Sequence, residues 1–280
     1  MPTIHTARSF LFAPGDDERK LRKALQSGAD AVVADLEDAV AADEKPVARR
    51  VVARVLAEAE GDALRLVRVN GAGSEWIAGD LETVAALDLD GVVLPKAEPE
   101  SLAAVEELGV PVVAIVETPR GLRHAYEVAE APTVAALVLG AVDLGLALRL
   151  ERRDDGQELL FARSSLVVDS AAAGIRAPVD QVWTTLGDPD GLRRDCELAR
   201  SLGLRGKACI HPEQIAIVNE AFAPTEDDVA RAHDLILAYE EATAQGQGAI
   251  RFEGEMVDLP VVERARALVA DAKRSMLHGD

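Results

Sequence analysis

The stretch VPVVAIVE, Val110 to Glu117, decides the fold. Its apolar residues run on without polar alternation and stop at a carboxylate. A strand with one wet face alternates apolar and polar side chains. A strand covered on both faces does not, and this is the habit of parallel sheets flanked by helices. AVVAD (31–35) and GVVLPK (91–96) read the same way, each closing on a charged residue. Working outward, comparable runs occur at Ser9–Ala13, Ala31–Ala34, Leu66–Val69, Gly91–Pro95, Val110–Val116, Leu137–Ala141, Ile175–Val179 and Gly206–Ile210, eight in all. Their spacing, mostly roughly 20 to 40 residues, suits one strand–helix unit each.

The segments between these runs predict helices. Asp43 to Glu60 is rich in Ala, Glu, Arg and Val, with Pro46 tolerable near its start. Ser101 to Leu108 and Pro189 to Leu202 read alike, the second stopping at Gly203, a natural residue just past a helix end. Eight such repeats predict an α/β fold, a (β/α)8 TIM barrel, over residues 1–222. An open doubly wound sheet is less favoured. It normally has fewer strands and a Gly-rich phosphate loop after the first, whereas here APGDDERK follows. Residues 223–280 are surplus to a barrel. They predict a C-terminal helical extension: a helix over Thr225–Ala244, the loop GQGAIRFEGEMVDLP, and a helix over Val261–Met276.

Composition limits the function classes. Lys+Arg 30 against Asp+Glu 49 leaves a net charge of −19. Neutralising phosphates along a nucleic acid needs a basic surface, so nucleic acid is excluded as a partner, and an anionic membrane face is disfavoured. No apolar run is long enough to span a bilayer, and the N-terminus lacks the pattern of a secretory signal. A cytoplasmic location is expected. Two cysteines, Cys196 and Cys209, make neither a disulfide framework nor a zinc site by themselves.

In barrels of this kind the chemistry lies at the C-terminal strand ends. There the sequence sets Asp35, Glu37 and Asp38 after the second run, then Arg68 and Asn70, Lys96, Glu117, Asp143, Asp180 and His211. Glu117 and Asp143 each end a strongly apolar run, so partial burial is expected. Two facing buried carboxylates repel unless a cation lies between them. Mg²⁺ fits, because it takes one or two carboxylates and keeps places for water and substrate oxygens. The bland reading is that each acid caps a helix or pairs with an arginine such as Arg120. Arg68 can grip a carboxylate through two parallel hydrogen bonds, or pair with the acids of DLED; the two are compatible. Arg19, Lys20, Arg22 and Lys23 form a basic cluster in which positions 19, 22 and 23 share a helix face. That face either meets phosphates or is simply solvated.

Taken in order, RSFLFAPGDDERKLRKALQSGADAVVADLEDAVAADEK, RVN, VVLPKAE, VETPRG, GAVDLG, ACIHPEQI and FEGEMVDLP resemble the citrate lyase β-subunit-like proteins, the coenzyme A-ester lyase branch of the citrate lyase/aldolase superfamily. The resemblance spans nearly the whole chain. It implies a barrel assembled as a homotrimer, with Mg²⁺ held by Glu117 and Asp143. It implies that Arg68 binds the carboxylate of a 2-oxo acid such as oxaloacetate, pyruvate or glyoxylate. Asp258, in the tail loop, would enter a neighbouring subunit's site as acid/base, and Asp38 belongs to the active-site loop. Arg19 and Lys23 match positions near the coenzyme A tail; Lys96 and His211 match positions around the pocket. The implied activity is cleavage of a 3-hydroxyacyl-coenzyme A of citryl, malyl or citramalyl type to acetyl-coenzyme A and a 2-oxo acid. A malyl-coenzyme A thioesterase, a malate-synthase-like condensing enzyme and a non-catalytic binding subunit are the alternatives. One departure is Val142, where many members carry Glu as GAED; the acid beside the second ligand is lost, while the ligand Asp143 remains.

Overall fold

The computed structural model describes residues 2–276. The chain divides into two compact units, Pro2–Phe222 and the residues from Ala223 onward.

The first unit is a parallel barrel. Its strands are β1 (Ser9–Pro14), β2 (Ala31–Asp35), β3 (Leu64–Arg68), β4 (Gly91–Leu94), β5 (Val112–Val116), β6 (Val134–Leu139) and β7 (Lys207–Cys209). They lie in the order β6-β5-β4-β3-β2-β1-β7, every pair parallel. The eighth position holds no regular strand. Val179 bridges to Val138 and Asp180 to Lys207, which spans the gap between β6 and β7. The expected strand Ile175–Val179 is thus reduced to two ladder residues. Pro178 has no N–H to give a ladder, and its carbonyl is taken by the N–H of Arg205.

Helices cover the outside: α1 (Glu18–Leu25), α2 (Lys45–Ala57), α3 (Ile77–Ala85), α4 (Pro119–Arg123), α5 (Ala125–Ala129), α6 (Ala141–Leu148), α7 (Leu160–Ala173), α8 (Pro189–Leu202) and α9 (Gln214–Phe222). The helix expected over Ser101–Leu108 is two short 3-10 turns, Pro99–Ala104 and Glu106–Leu108. Pro99 opens the first, and Gly109, at φ 67°, ends the second before α-helical bonding can build up. The sixth strand also ends earlier than expected. Ala141 opens α6, so Val142 and Asp143 stand in that helix's first turn and not on a strand.

Strand alternation sorts the core into two layers. Val32, Ala34, Val67, Val92, Ala114 and Val116 face the helices, where the larger cluster lies. Phe10, Val33, Leu66, Val93, Ile115 and Val138 fill the barrel interior. Arg176 is buried beside this inner layer, donating to the carbonyls of Ile4 and Arg205 and lying over the Phe10 ring. Beside the eighth position four fully or nearly buried charges form a closed ring. Arg163 of α7 donates to Asp180 (2.8 and 2.9 Å) and Asp195 (2.6 Å), and Lys207 donates to the same two carboxylates at 2.6 Å each. Asp180 therefore belongs to this ring, not to the group of mouth acids in which the sequence sets it.

The second unit comprises α10 (Glu226–Ala244), an antiparallel hairpin of β8 (Ile250–Phe252) and β9 (Glu255–Val257), and α11 (Leu259–Met276). Thr225 caps α10, its hydroxyl accepting from the Asp228 N–H. The hairpin lies in a stretch expected as loop. Glu253 and Gly254, both at positive φ (47° and 91°), make the two-residue turn whose twist suits a hairpin. Leu235, Tyr239, Val257, Val262 and Val269 form this unit's own core. Among the described residues, no helix is long and apolar enough to cross a membrane.

Candidate active site

The inward period of two carries on past the apolar layer and then changes chemistry. On β2 the interior residues Ala31 and Val33 are followed by Asp35; on β3 Leu64 and Leu66 lead to Arg68; after Val113 and Ile115 of β5 comes Glu117. One end of the barrel is therefore charged because the next inward residue on three strands is ionisable. Arg68 spends Nε and Nη2 on Asp35, at 2.7 and 2.6 Å, a bidentate pair. Its Nη1 stands 2.9 Å from Glu37 Oε2 and 3.5 Å from Asp38. The ring of Phe12 lies beneath the guanidinium, 5.3 Å away.

Lys96 organises the other half of the mouth. Its φ of 50° is a left-handed conformation uncommon for a residue with a side chain. In this conformation its N–H donates to Glu117 Oε1 (2.7 Å) while Nζ donates to Glu37 Oε1 (2.6 Å). Nζ is also 4.0 Å from Glu117 and 3.8 Å from Asp143. One ammonium thus stands among three carboxylates from three separate segments, the loops after β2 and β5 and the first turn of α6. Glu117 Oε2 and both oxygens of Asp143 accept no hydrogen bond among the described residues. Gly140 makes room for this arrangement, since a Cβ there would come within 2.6 Å of Glu117 Oε2. Glu117 is buried as expected. Asp143, in the first turn of α6, is half exposed.

The electrostatics follow from burial and crowding. Burial, reinforced by the charge of Glu37 and opposed by the Lys96 N–H, pushes Glu117 from the ordinary value of 4.5 up to about 7. Glu37 is also raised, by burial first, against the pull of Arg68 and Lys96. Burial works against the Arg68 charge, yet the hydrogen bonds and charge of Asp35 outweigh it and its pKa rises. Lys96 behaves likewise, with Glu37 as its main support. An acid held near neutrality beside a second free carboxylate is a place where a cation would relieve strain. Among the described residues no group of three or more His, Cys, Asp or Glu side chains is arranged to hold a metal ion. Glu117 and Asp143 could hold one with water or substrate oxygens completing its shell, which is the Mg²⁺ habit.

A cavity of about 430 Å³ opens at this mouth, lined among others by Phe12, Asp35, Asp38, Arg68, Val142 and Asp143. Asp38 is exposed on its rim. The bland reading of Arg68 holds, since it pairs with DLED acids; that of Glu117 does not, since Arg120 pairs with Glu98 and Glu100. The neighbouring Ile210 lines the cavity, whereas His211 is occupied by the following turn, its Nδ1 accepting from the Glu213 N–H at 3.3 Å. Asn70 is structural: it donates to the Leu36 carbonyl and to Asp80 and accepts from Lys45. The basic cluster divides. Arg22 is held by Glu18 and Glu58 and Lys20 by Asp17, while Arg19 and Lys23 are exposed and form no ion pair among the described residues. Asp258 lies in the second unit, where its carbonyl accepts from the N–H groups of Val261 and Val262 at the start of α11.

The role of one residue and the presence of another escape the sequence reading. Glu37 is the acid that joins Arg68 to Lys96, a role no local pattern announces. Lys45 is buried and donates to the carbonyls of Leu36 and Glu37 and to Asn70, pinning the DLED loop from below. Its signal is an anomaly: a cation in a helix's first turn opposes the helix dipole, so it must be repaid elsewhere.

The model of the HpcH/HpaI aldolase/citrate lyase family matches residues 8–212. A citrate lyase subunit beta-like protein of Deinococcus radiodurans is 42% identical over 275 residues, covering 94% of this chain and 96% of its own. A (3S)-malyl-CoA thioesterase of Cereibacter sphaeroides is 38% identical, covering 96% and 95%. CitE of Mycobacterium tuberculosis, solved with magnesium, acetoacetate and coenzyme A, superposes with a TM-score of 0.82 at 35% identity, covering 96% of this chain and all of that one. The citrate lyase β subunit of that organism, solved with oxaloacetate and magnesium, gives 0.69 at 36% identity over 79% of this chain and 99% of its own.

Proposed function

Since the chain belongs to the HpcH/HpaI aldolase/citrate lyase family, we propose that it is a Mg²⁺-dependent carbon–carbon lyase. It would cleave a 3-hydroxyacyl-coenzyme A to acetyl-coenzyme A and a 2-oxo acid. The observation that carries this reading is the pair of free carboxylate edges, Glu117 and Asp143, beside Lys96 on a cavity that also presents Arg68. Relatives solved with magnesium, coenzyme A and oxo acids support it.

Glu117 and Asp143 would hold Mg²⁺, which when bound acts as a Lewis acid on an oxygen of the reacting carbon. The protein's own groups do the rest. Arg68, fixed by Asp35 and stacked over Phe12, orients the carboxylate of the oxo-acid half through Nη1. A carboxylate base removes the proton of the substrate hydroxyl, the carbon–carbon bond breaks, and its electron pair passes to the thioester as an enolate. The same acid returns a proton to the enolate carbon. We assign that role to Asp258 from a neighbouring subunit's tail in a homotrimer, with Asp38 on the rim of the same mouth. Arg19 and Lys23, exposed on α1 and in no ion pair among the described residues, suit the phosphates of coenzyme A. Lys96 keeps Glu37 and Glu117 in register.

Thioester hydrolysis is the second reading, favoured by the malyl-coenzyme A thioesterase relative. Incubation with Mg²⁺ and malyl-, citramalyl- and citryl-coenzyme A, followed by mass spectrometry, separates the two. A lyase releases acetyl-coenzyme A with the 2-oxo acid; a thioesterase releases free coenzyme A with the hydroxy acid. Glu117→Ala and Asp143→Ala are expected to abolish turnover with the fold intact by circular dichroism. Undiminished turnover in either would remove it as a ligand.

A further inference from the structure

The cavity's lining is unequal in a way that bears on which oxo acid it accepts. Among the described residues that line it, Arg68 is the only cation; its Nε and Nη2 are committed to Asp35, which leaves Nη1, beside Glu37, for a single substrate carboxylate. The rest of the wall is largely apolar: Ile115, Val138, Val142, Val182 and Ile210. Two of these are large apolar side chains left in the open, Val142 at 58% and Ile210 at 41% exposure. Packing does not account for them, because neither is inside the core. They border a cavity whose other edge is charged, so a ligand with one polar and one apolar end would cover both.

Charge points the same way. Asp35, Glu37, Asp38, Glu117 and Asp143 face Arg68 and Lys96 at this mouth, with the Lys45 ammonium buried beneath the DLED loop. A 2-oxo monocarboxylate adds one further negative charge; a dicarboxylate adds two, the second against apolar walls where no free cation is available among the lining residues. Burying a carboxylate without a partner is among the costliest events in a protein interior.

We infer that the oxo-acid half of the cavity takes a monocarboxylate bearing a short alkyl group, and that Val142 is a residue that sets this preference over a dicarboxylate. The inference rests on the proposed lyase reading for its substrate, a thioester with a methyl or ethyl group on the hydroxyl-bearing carbon. The related mycobacterial protein is solved with oxaloacetate as well as acetoacetate, so the quantity at issue is rank order and not admission.

Two measurements on the full chain with Mg²⁺ test it. In the first, kcat/KM is measured for citramalyl-, malyl- and citryl-coenzyme A. The methyl-bearing citramalyl substrate is expected to exceed malyl by about fourfold, the effect of one buried methyl. It is expected to exceed citryl by at least about tenfold, the least that an unpaired buried charge would cost. Val142→Lys, at an exposed position, is expected to raise the citryl rate relative to citramalyl. In the second, calorimetry compares pyruvate, 2-oxobutyrate and oxaloacetate, with oxaloacetate expected to bind weakest. Citryl-coenzyme A equal to or better than citramalyl, or oxaloacetate binding tightest, overturns the inference. If no thioester is cleaved but the monocarboxylates still bind best, the lyase reading falls and the pocket preference stands.

Discussion

Glu117 ties the site to stability through its proton. Its pKa rises from the ordinary value of 4.5 to about 7 because burial and Glu37 disfavour its charge. The folded protein then holds a proton that the unfolded chain has released between those values, so stability falls as pH rises across that window. The favourable contribution is complete below about pH 4.5 and gone above about 7, an effect on the order of 3 kcal/mol for a side chain this buried. In metal-free protein the urea midpoint is expected to drop from pH 5 to pH 8. Glu117→Gln should flatten most of that slope, leaving a remainder from Glu37, which is shifted the same way. Added Mg²⁺ at pH 8 should raise the midpoint of the parent and not of Glu117→Gln; an unchanged pH slope in the variant would show that Glu117 is not the group responsible. Glu117 was legible in the sequence because two periodicities agree on it: the apolar run places it at a strand end, and the period of two points it inward. Neither the linking role of Glu37 nor Lys45 was, since both depend on contacts with residues 31, 59 and 25 positions away.

At the level of elements, the eighth barrel position is where local pattern and tertiary structure part. IRAPV looks like a strand, but Pro178 removes a donor and only Val179 and Asp180 pair. The ring of Arg163, Asp180, Asp195 and Lys207 holds what the ladder does not, joining this segment and β7 to α7 and α8. Two cations facing two anions make the ring neutral, and the cost of breaking it depends on whether neutrality survives. Lys207→Met leaves one cation against two buried carboxylates and is expected to destabilise by about 3–5 kcal/mol. Lys207→Met combined with Asp195→Leu leaves the bidentate Arg163–Asp180 pair and should recover much of that loss. Chemical denaturation of the two variants measures the difference. A double variant no more stable than the single one would mean that the ring acts through packing and not through charge balance. The helix over 189–202 shows the opposite case, legible from its composition and from Gly203, which ends it; the structure adds Asp188 as its cap. The hairpin at 250–257 is not legible because its turn, Glu253-Gly254, puts a glutamate at positive φ, where Asn or Asp would announce it.

Over the whole molecule, the net charge of −19 argues against nucleic acid as a partner but not against an anionic substrate, because Arg68 and Lys96 stand among the acids of the mouth, and Arg19 and Lys23, which form no ion pair among the described residues, lie on α1. The division into two units gives the proposed exchange of Asp258 a clean test. If the tail of one subunit completes the site of another, then Arg68→Ala and Asp258→Asn destroy activity through different chains of the same assembly. Each variant alone has every site broken. When the two are mixed, dissociated and reassembled, a site is intact wherever a barrel with Arg68 meets a tail with Asp258. Random reassembly in equal amounts in a cyclic trimer makes about a quarter of the sites whole, since each of the two conditions is met half the time. Turnover near a quarter of the parent rate is therefore the expected result, read together with a trimer mass from light scattering. If each tail serves its own barrel, no mixture can contain an intact site and the activity stays at the level of the separate variants. A monomeric mass would remove the exchange outright, and Asp258→Asn would then report on the tail of the same chain.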